Sequence, residues 1–199
     1  MTISSVKHTF TSAKADGPDA TLVQPGDWNA VHTLFEIPQP SIVGFNGENN
    51  AVSPDTQLDL TSARAIVARD TNGNVYGKWN QGLLTCNLAT AGPAINARDT
   101  VAALGTTSFV HFYYIYNPTT DTWASTASAT APPTGPALPS GYTAWAYVCS
   151  VWNAAGPALR RVYVRGSWGH HQTRLSVLSG GTATTETNVS LTTAIPSNA

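Results

Sequence analysis

Apolar and polar positions alternate with a period of two over much of the chain, and Gly, Pro and Asn interrupt the alternation. Residues 63–69 and 74–79 flank Asp70-Thr71-Asn72-Gly73. Asn-Gly supplies the positive φ angles of a tight turn, so a hairpin is predicted. Residues 109–116 form a dense aromatic and β-branched run. It predicts a strand that stops at Asn117-Pro118, because Pro offers no N–H to a ladder. Residues 123–128 alternate with small polar side chains and complete a second hairpin. Over 142–152 large and small residues alternate, which places Trp145, Tyr147, Cys149 and Val151 on one face. After a turn at 153–157, residues 159–165 predict a third hairpin arm. Arg161, Tyr163 and Arg165 share one of its faces, and Arg160, Val162 and Val164 the other. Weaker strands are predicted near 172–178 and 187–192.

Helix signals are few. Residues 25–32 can hold one turn with Asp27 as its N-cap. Residues 96–104 are helix-compatible but short, and a helix under about 12 residues is marginal without tertiary packing. The expected fold class is all-β: an antiparallel β-sandwich or barrel-like domain.

Composition shifts along the chain suggest four segments. Residues 1–40 form an N-terminal segment, 41–54 a Pro- and Gly-rich linker, 55–168 a β-domain with its own core, and 169–199 a Ser/Thr-rich β segment. The last has too few large apolar residues to bury a core. It is expected to pack on another chain or to continue into a longer fibre, and residues 191–199 read as a strand and turn leading onward. The Pro-rich stretch 131–139 is stiff and donor-poor, so it is expected to cross a sheet edge in extended form.

Charge changes the picture most. Of 199 residues, 11% are charged and the formal net charge is −1, against about 25% charged in an ordinary soluble domain. Such sparse charge argues against nucleic acid and anionic lipid as partners. With 42% hydrophobic residues and six Trp, the chain has enough to bury, so disorder driven by charge repulsion is excluded. No apolar run reaches the roughly 18 residues of a membrane span, and mean hydropathy is −0.10. Residues 1–8 lack the apolar stretch of a secretory signal. With Ser, Thr, Asn and Gly in place of charge, surfaces covered by partner chains are expected.

The chain carries no nucleophile elbow, phosphate loop or dinucleotide fingerprint, so neither catalysis nor a cofactor is expected. Asp55 with Asp59, and Asp16 with Asp19, read as turn chemistry, because Asp bonds nearby backbone. His170-His171 is the only clustered metal-ligand candidate. Adjacent strand residues point to opposite faces, so one chain cannot chelate with both, and no metal is expected. Cys86 and Cys149 read as free thiols in apolar strands, with a disulfide as the alternative. Asn188-Val189-Ser190 matches a glycosylation acceptor without a secretion signal beside it. Trp79, Tyr113, Trp145 and Tyr147 fall in alternating patterns and are expected in the core. Trp123 and Trp168, at hairpin ends, are the candidates for exposed aromatics that stack on glycan or contact a partner.

Two stretches carry a family resemblance. The first runs through His8, Phe10, Asp16, Gly17, Asp19, Val23, Pro25, Asp27, Trp28, Asn29 and His32. It resembles the N-terminal segment of tailed-bacteriophage virion proteins such as tail fibres and head-associated proteins, with Gly26 where Ser is usual. The second, Tyr113-Tyr114-Ile115-Tyr116-Asn117-Pro118 followed by Pro139-Ser140-Gly141-Tyr142, is similar to a β-rich module of phage tail proteins. The resemblance implies a fibre or fibre-adaptor subunit, assembled into the virion in the bacterial host cytoplasm. It would dock on portal, adaptor, capsid or tail proteins through Phe10, Asp16, Gly17, Asp19, Pro25, Asp27, Trp28, Asn29 and His32. A homo-oligomer is expected, a trimer favoured. The alternatives are a capsid decoration or head-fibre protein with no receptor role, and a glycan-binding adhesin domain. A depolymerase would need a long coil repeat that the sequence lacks.

Overall fold

The computed structural model describes Ser5–Val6, His32–Thr33, residues 41–154, 158–166 and 168–172, and the single residues Leu191 and Ile195. Fourteen strands appear among them: β1 (Ser5–Val6), β2 (His32–Thr33), β3 (Ser41–Val43), β4 (Asn46–Asn49), β5 (Gln57–Asp70), β6 (Val75–Gln81), β7 (Leu84–Asn87), β8 (Ala97–Arg98), β9 (Ser108–Asn117), β10 (Thr122–Ser128), β11 (Ala144–Ala154), β12 (Ala158–Leu159), β13 (Val162–Arg165) and β14 (Trp168–His171). The described residues contain no helix. β1 and β2 form a separate two-stranded ladder.

Six strands close a barrel in the order β5, β7, β8, β10, β9, β11, and β11 returns to β5 to complete it. The closing seam is short, with Ala144 opposite Asp70 and Trp145 opposite Arg69. β8 is parallel to both of its neighbours, β7 and β10; the remaining ladders are antiparallel. Closure removes free sheet edges from the barrel. β3, β4 and β6 pair with β5, β12 with β11, and β13 with β4 and β14.

The main core gathers Leu58, Leu60, Ile66 and Ala68 of β5, Val110, Phe112, Tyr114 and Tyr116 of β9, and Ala144, Ala146 and Val151 of β11. β9 is buried on both faces. Its even-numbered residues enter this core, and Tyr113 and Ile115 enter a second one with Ala124. Leu138 and Tyr142, from the loop between β10 and β11, cover that second face. This explains the dense aromatic run: a strand with no wet face has no polar alternation.

The hairpins predicted around 70–73 and 117–122 form as β5–β6 and β9–β10. The alternation of 161–165 also holds, with Val162 and Val164 buried and Tyr163 and Arg165 exposed. Other expectations need correction. The linker expected at 41–54 carries β3 and β4, and Phe45 lies in the main core. Residues 96–104 hold the parallel strand β8 instead of a helix. The arm expected over 159–165 breaks between β12 and β13, which pair with different strands. On β11 the register shifts between Tyr147 and Cys149. The extra residue, Val148, turns Cys149 and Val151 toward the main core, while Trp145 and Tyr147 face outward; a bulge reverses the face of every residue after it. The Pro-rich stretch turns at 132–134 and packs over β9 and β11, so it covers a sheet face instead of crossing an edge. Apart from Gln172, Leu191 and His32, which lies in strand β2, the helix turn expected at 25–32 and the strands expected near 172–178 and 187–192 lie outside the described residues.

Candidate functional site

At the barrel seam lies an open cleft of about 390 Å³, lined by Arg69, Asp70, Thr71, Pro132, Pro133, Thr134, Trp145 and Tyr147. Its floor is set by the alternation on β11. Ala144 and Ala146 point inward and are fully buried, so Trp145 and Tyr147 must point outward, where both are half-buried. Tyr113 on β9 meets them edge-on, with ring centroids 5.4 Å from Trp145 and 5.5 Å from Tyr147. Its own hydroxyl donates to Thr130 O at 2.6 Å. The two cleft aromatics thus rest on a third ring that is itself held.

The β10–β11 loop forms one wall. Ala137 N donates to Asp99 Oδ2 at 3.1 Å, which ties the loop to the end of β8. Gly135 has φ +77°, and a Cβ there would overlap the Trp145 ring. Only glycine allows both that backbone angle and that approach. The β5–β6 turn forms the other wall. The Asp70 carboxylate accepts from Asn72 N at 2.9 Å, Asn74 N at 2.8 Å, Asn74 Nδ2 at 2.8 Å and Tyr76 Oη at 3.2 Å. Burial would raise its pKa, but these bonds, those of Asn74 foremost, hold it below the ordinary carboxylate value. Arg69 faces outward opposite Trp145, and its Nε is buried with no hydrogen-bond partner among the described residues.

The Tyr147 hydroxyl shares a hydrogen bond with Ser150 Oγ, which in turn meets His111 Nδ1 at 3.0 Å. Burial pushes the Tyr147 phenol up to about 12, with Cys149 adding and the Ser150 bond opposing. It is therefore a neutral hydroxyl near neutral pH. Burial lowers the His111 pKa, so that ring is neutral too. The cleft offers aromatic faces, hydroxyls and one charge of each sign.

A smaller cavity of about 140 Å³ lies beside Arg98 and Asn153. Arg98 Nη1 and Nη2 donate to Leu88 O at 2.7 Å and Val101 O at 2.9 Å, and Asn153 Nδ2 donates to Gly105 O at 2.9 Å. These bonds pin the segment between β7 and β9.

The predicted site residues that are described do not line the cleft. Phe10, Asp16, Gly17, Asp19, Pro25, Asp27, Trp28 and Asn29 lie outside the described residues, and His32 is described only as backbone in β2. Trp123, expected exposed, is 8% exposed. It stacks on Tyr116 with centroids 4.8 Å apart, because its register partner faces the main core. Trp168 is exposed on β14, as expected, but does not line the cleft. Trp79, expected in the core, is 74% exposed. Among the described residues no three of His, Cys, Asp and Glu converge as metal ligands. Cys86 and Cys149 are free thiols. Asp55 pairs with Arg161 at 2.9 Å, and Asp59 accepts from Asn50 and Thr85, so both carboxylates are tied up structurally. The signal for the cleft was present in the Ala-Trp-Ala-Tyr order of 144–147: two alanines facing a crowded interior send the aromatics out. No family model, characterised protein or solved structure matches the chain.

Proposed function

We propose that this chain is a structural protein of a phage virion, a fibre or fibre-adaptor subunit. Residues 1–40 dock it on the particle, and the barrel projects outward and contributes to host attachment. The observation that supports this reading is the corner built by the residues that carry the resemblance. Asn117 Oδ1 accepts from Thr119 N at 2.9 Å and Thr120 N at 3.3 Å. Gly141, at φ +83°, leaves only 2.7 Å between an added Cβ and Asn117 Nδ2. Tyr142 N donates to Pro139 O at 3.0 Å, and Thr143 N to Tyr116 O at 3.0 Å. The two halves of the motif, 113–120 and 139–142, therefore meet as one packed unit. Exposed Trp79, Leu83 and Trp168 on the outer strands and adjoining loop also suit a chain with protein neighbours.

The test has three arms. Antibodies raised against the barrel are expected to label intact particles, and unlabelled particles overturn the virion reading. Deletion of residues 1–35 is expected to abolish incorporation while the barrel's circular dichroism persists; particles that still carry the truncated chain overturn docking. Light scattering that gives the mass of one 20.9 kDa chain overturns the trimer.

A further inference from the structure

We propose that the seam cleft between Trp145 and the β5–β6 turn binds a saccharide, and that this is the barrel's attachment site. The inference deepens the attachment role above, but the binding itself can be measured without any particle. A sugar ring is amphipathic: its C–H face is apolar, and its rim is a ring of hydroxyls that both donate and accept. The cleft has the complementary halves. Trp145 and Tyr147, two residues apart on one strand face, stand roughly 7 Å apart and present half-buried rings. Around them lie Arg69 as donor and the hydroxyls of Thr71 and Thr134, which both donate and accept.

Three features favour a ligand over a merely packed surface. The rings are preorganised by Tyr113 below and by Gly135 at the edge of Trp145, so little side-chain freedom remains to be lost on binding. Arg69 is half-buried in the cleft lining, and its guanidinium is a planar fork of N–H donors suited to adjacent sugar hydroxyls. A volume of about 390 Å³ falls in the range of small-ligand sites, about 300–1,000 Å³. Arg69 and Asp70 cancel in charge, so the class that fits is a neutral saccharide.

The purified full chain would be screened on an array of bacterial surface glycans and titrated with maltose, cellobiose, lactose and chitobiose. Binding would be read from the shift of the Trp indole N–H resonances. Saturable binding that moves the Trp145 resonance is expected. Trp145→Ala and Arg69→Gln should each weaken it at least tenfold, while Trp168→Ala and Trp79→Ala leave it unchanged. Arg69→Gln keeps the proposal testable if Trp145→Ala fails to fold. Absence of binding across array and titrations overturns the assignment, as does binding that survives both cleft variants or is lost in Trp168→Ala. Saturation by a proline-rich peptide with no response to sugars overturns it in favour of a peptide groove. Particle labelling without saccharide binding leaves the virion role standing and removes this inference alone.

Discussion

The β5–β6 and β9–β10 hairpins are built alike and end up in opposite surroundings. Each turns at an Asp or Asn whose carboxylate or amide oxygen accepts nearby backbone N–H groups. Each carries a Trp on its second strand, yet Trp79 is 74% exposed and Trp123 is 8% exposed. The difference lies in what covers them. β10 is a barrel strand, and Trp123 shares the inward row of Tyr116. β6 lies outside the barrel and pairs with β5 alone among the described strands. Trp79 sits in the row of Val43 and Ala65, away from Ile66 and the core. Alternation thus assigns a side chain to a face, and the topology decides whether that face is covered.

Truncation is the strongest way to probe this contrast. Phe112→Ala on β9 should cost about 3–5 kcal/mol in urea denaturation, as for a fully buried aromatic. A much smaller loss would mean that the core around β9 is loosely packed. Backbone substitutions come next. Gly141→Ala meets both φ +83° and the Asn117 side chain, and should cost about 1–3 kcal/mol.

Acid should separate the two hairpins by pH window. Burial lowers the His111 pKa below its ordinary 6.5, so the unfolded chain takes the proton first and stability rises with pH. That contribution is present above 6.5 and is lost as pH falls through the lowered value. Asp70 is also lowered, from 3.8, so its stabilisation of the β5–β6 turn is lost only below that. His111→Asn should flatten the upper part of the stability profile and leave the lower part intact; an unchanged upper slope would refute the assignment. The smallest effects belong to β6. Trp79→Ala and Gly77→Ala, where an added Cβ meets nothing within 4 Å, should each change stability by about 0.5 kcal/mol or less. A larger loss that depends on protein concentration would show that this face is covered by another copy of the chain.

Much of the barrel was legible locally. The turn at 70–73, the break at Asn117-Pro118 and the period-two pattern of 161–165 all follow from backbone chemistry that each residue carries with it. The cleft was less legible. Large alternating residues usually belong in a core, and the pattern alone places Trp145 and Tyr147 there. Arg69 reads as the end of a strand and Asp70 as the start of a turn. Nothing in the order of residues says that β11 returns to β5, and only that closure brings Trp145 opposite Arg69. The bulge at Val148 was equally hidden, since one inserted residue leaves the composition of a strand unchanged while reversing its faces.

By itself, then, the sequence determined an all-β chain, the placement of the β5–β6 and β9–β10 hairpins, and, away from the bulge in β11, which neighbouring side chains share a face. Those depend on φ preferences, missing donors and a two-residue repeat, all of them short-range. Tertiary structure alone decided that the sheet closes, that β9 is dry on both sides, that Trp123 is covered and Trp79 is not, and that two aromatics meet an arginine at the seam. These depend on pairings between residues as far apart as Arg69 and Trp145, where the free energy comes from joint burial and no single segment holds the information.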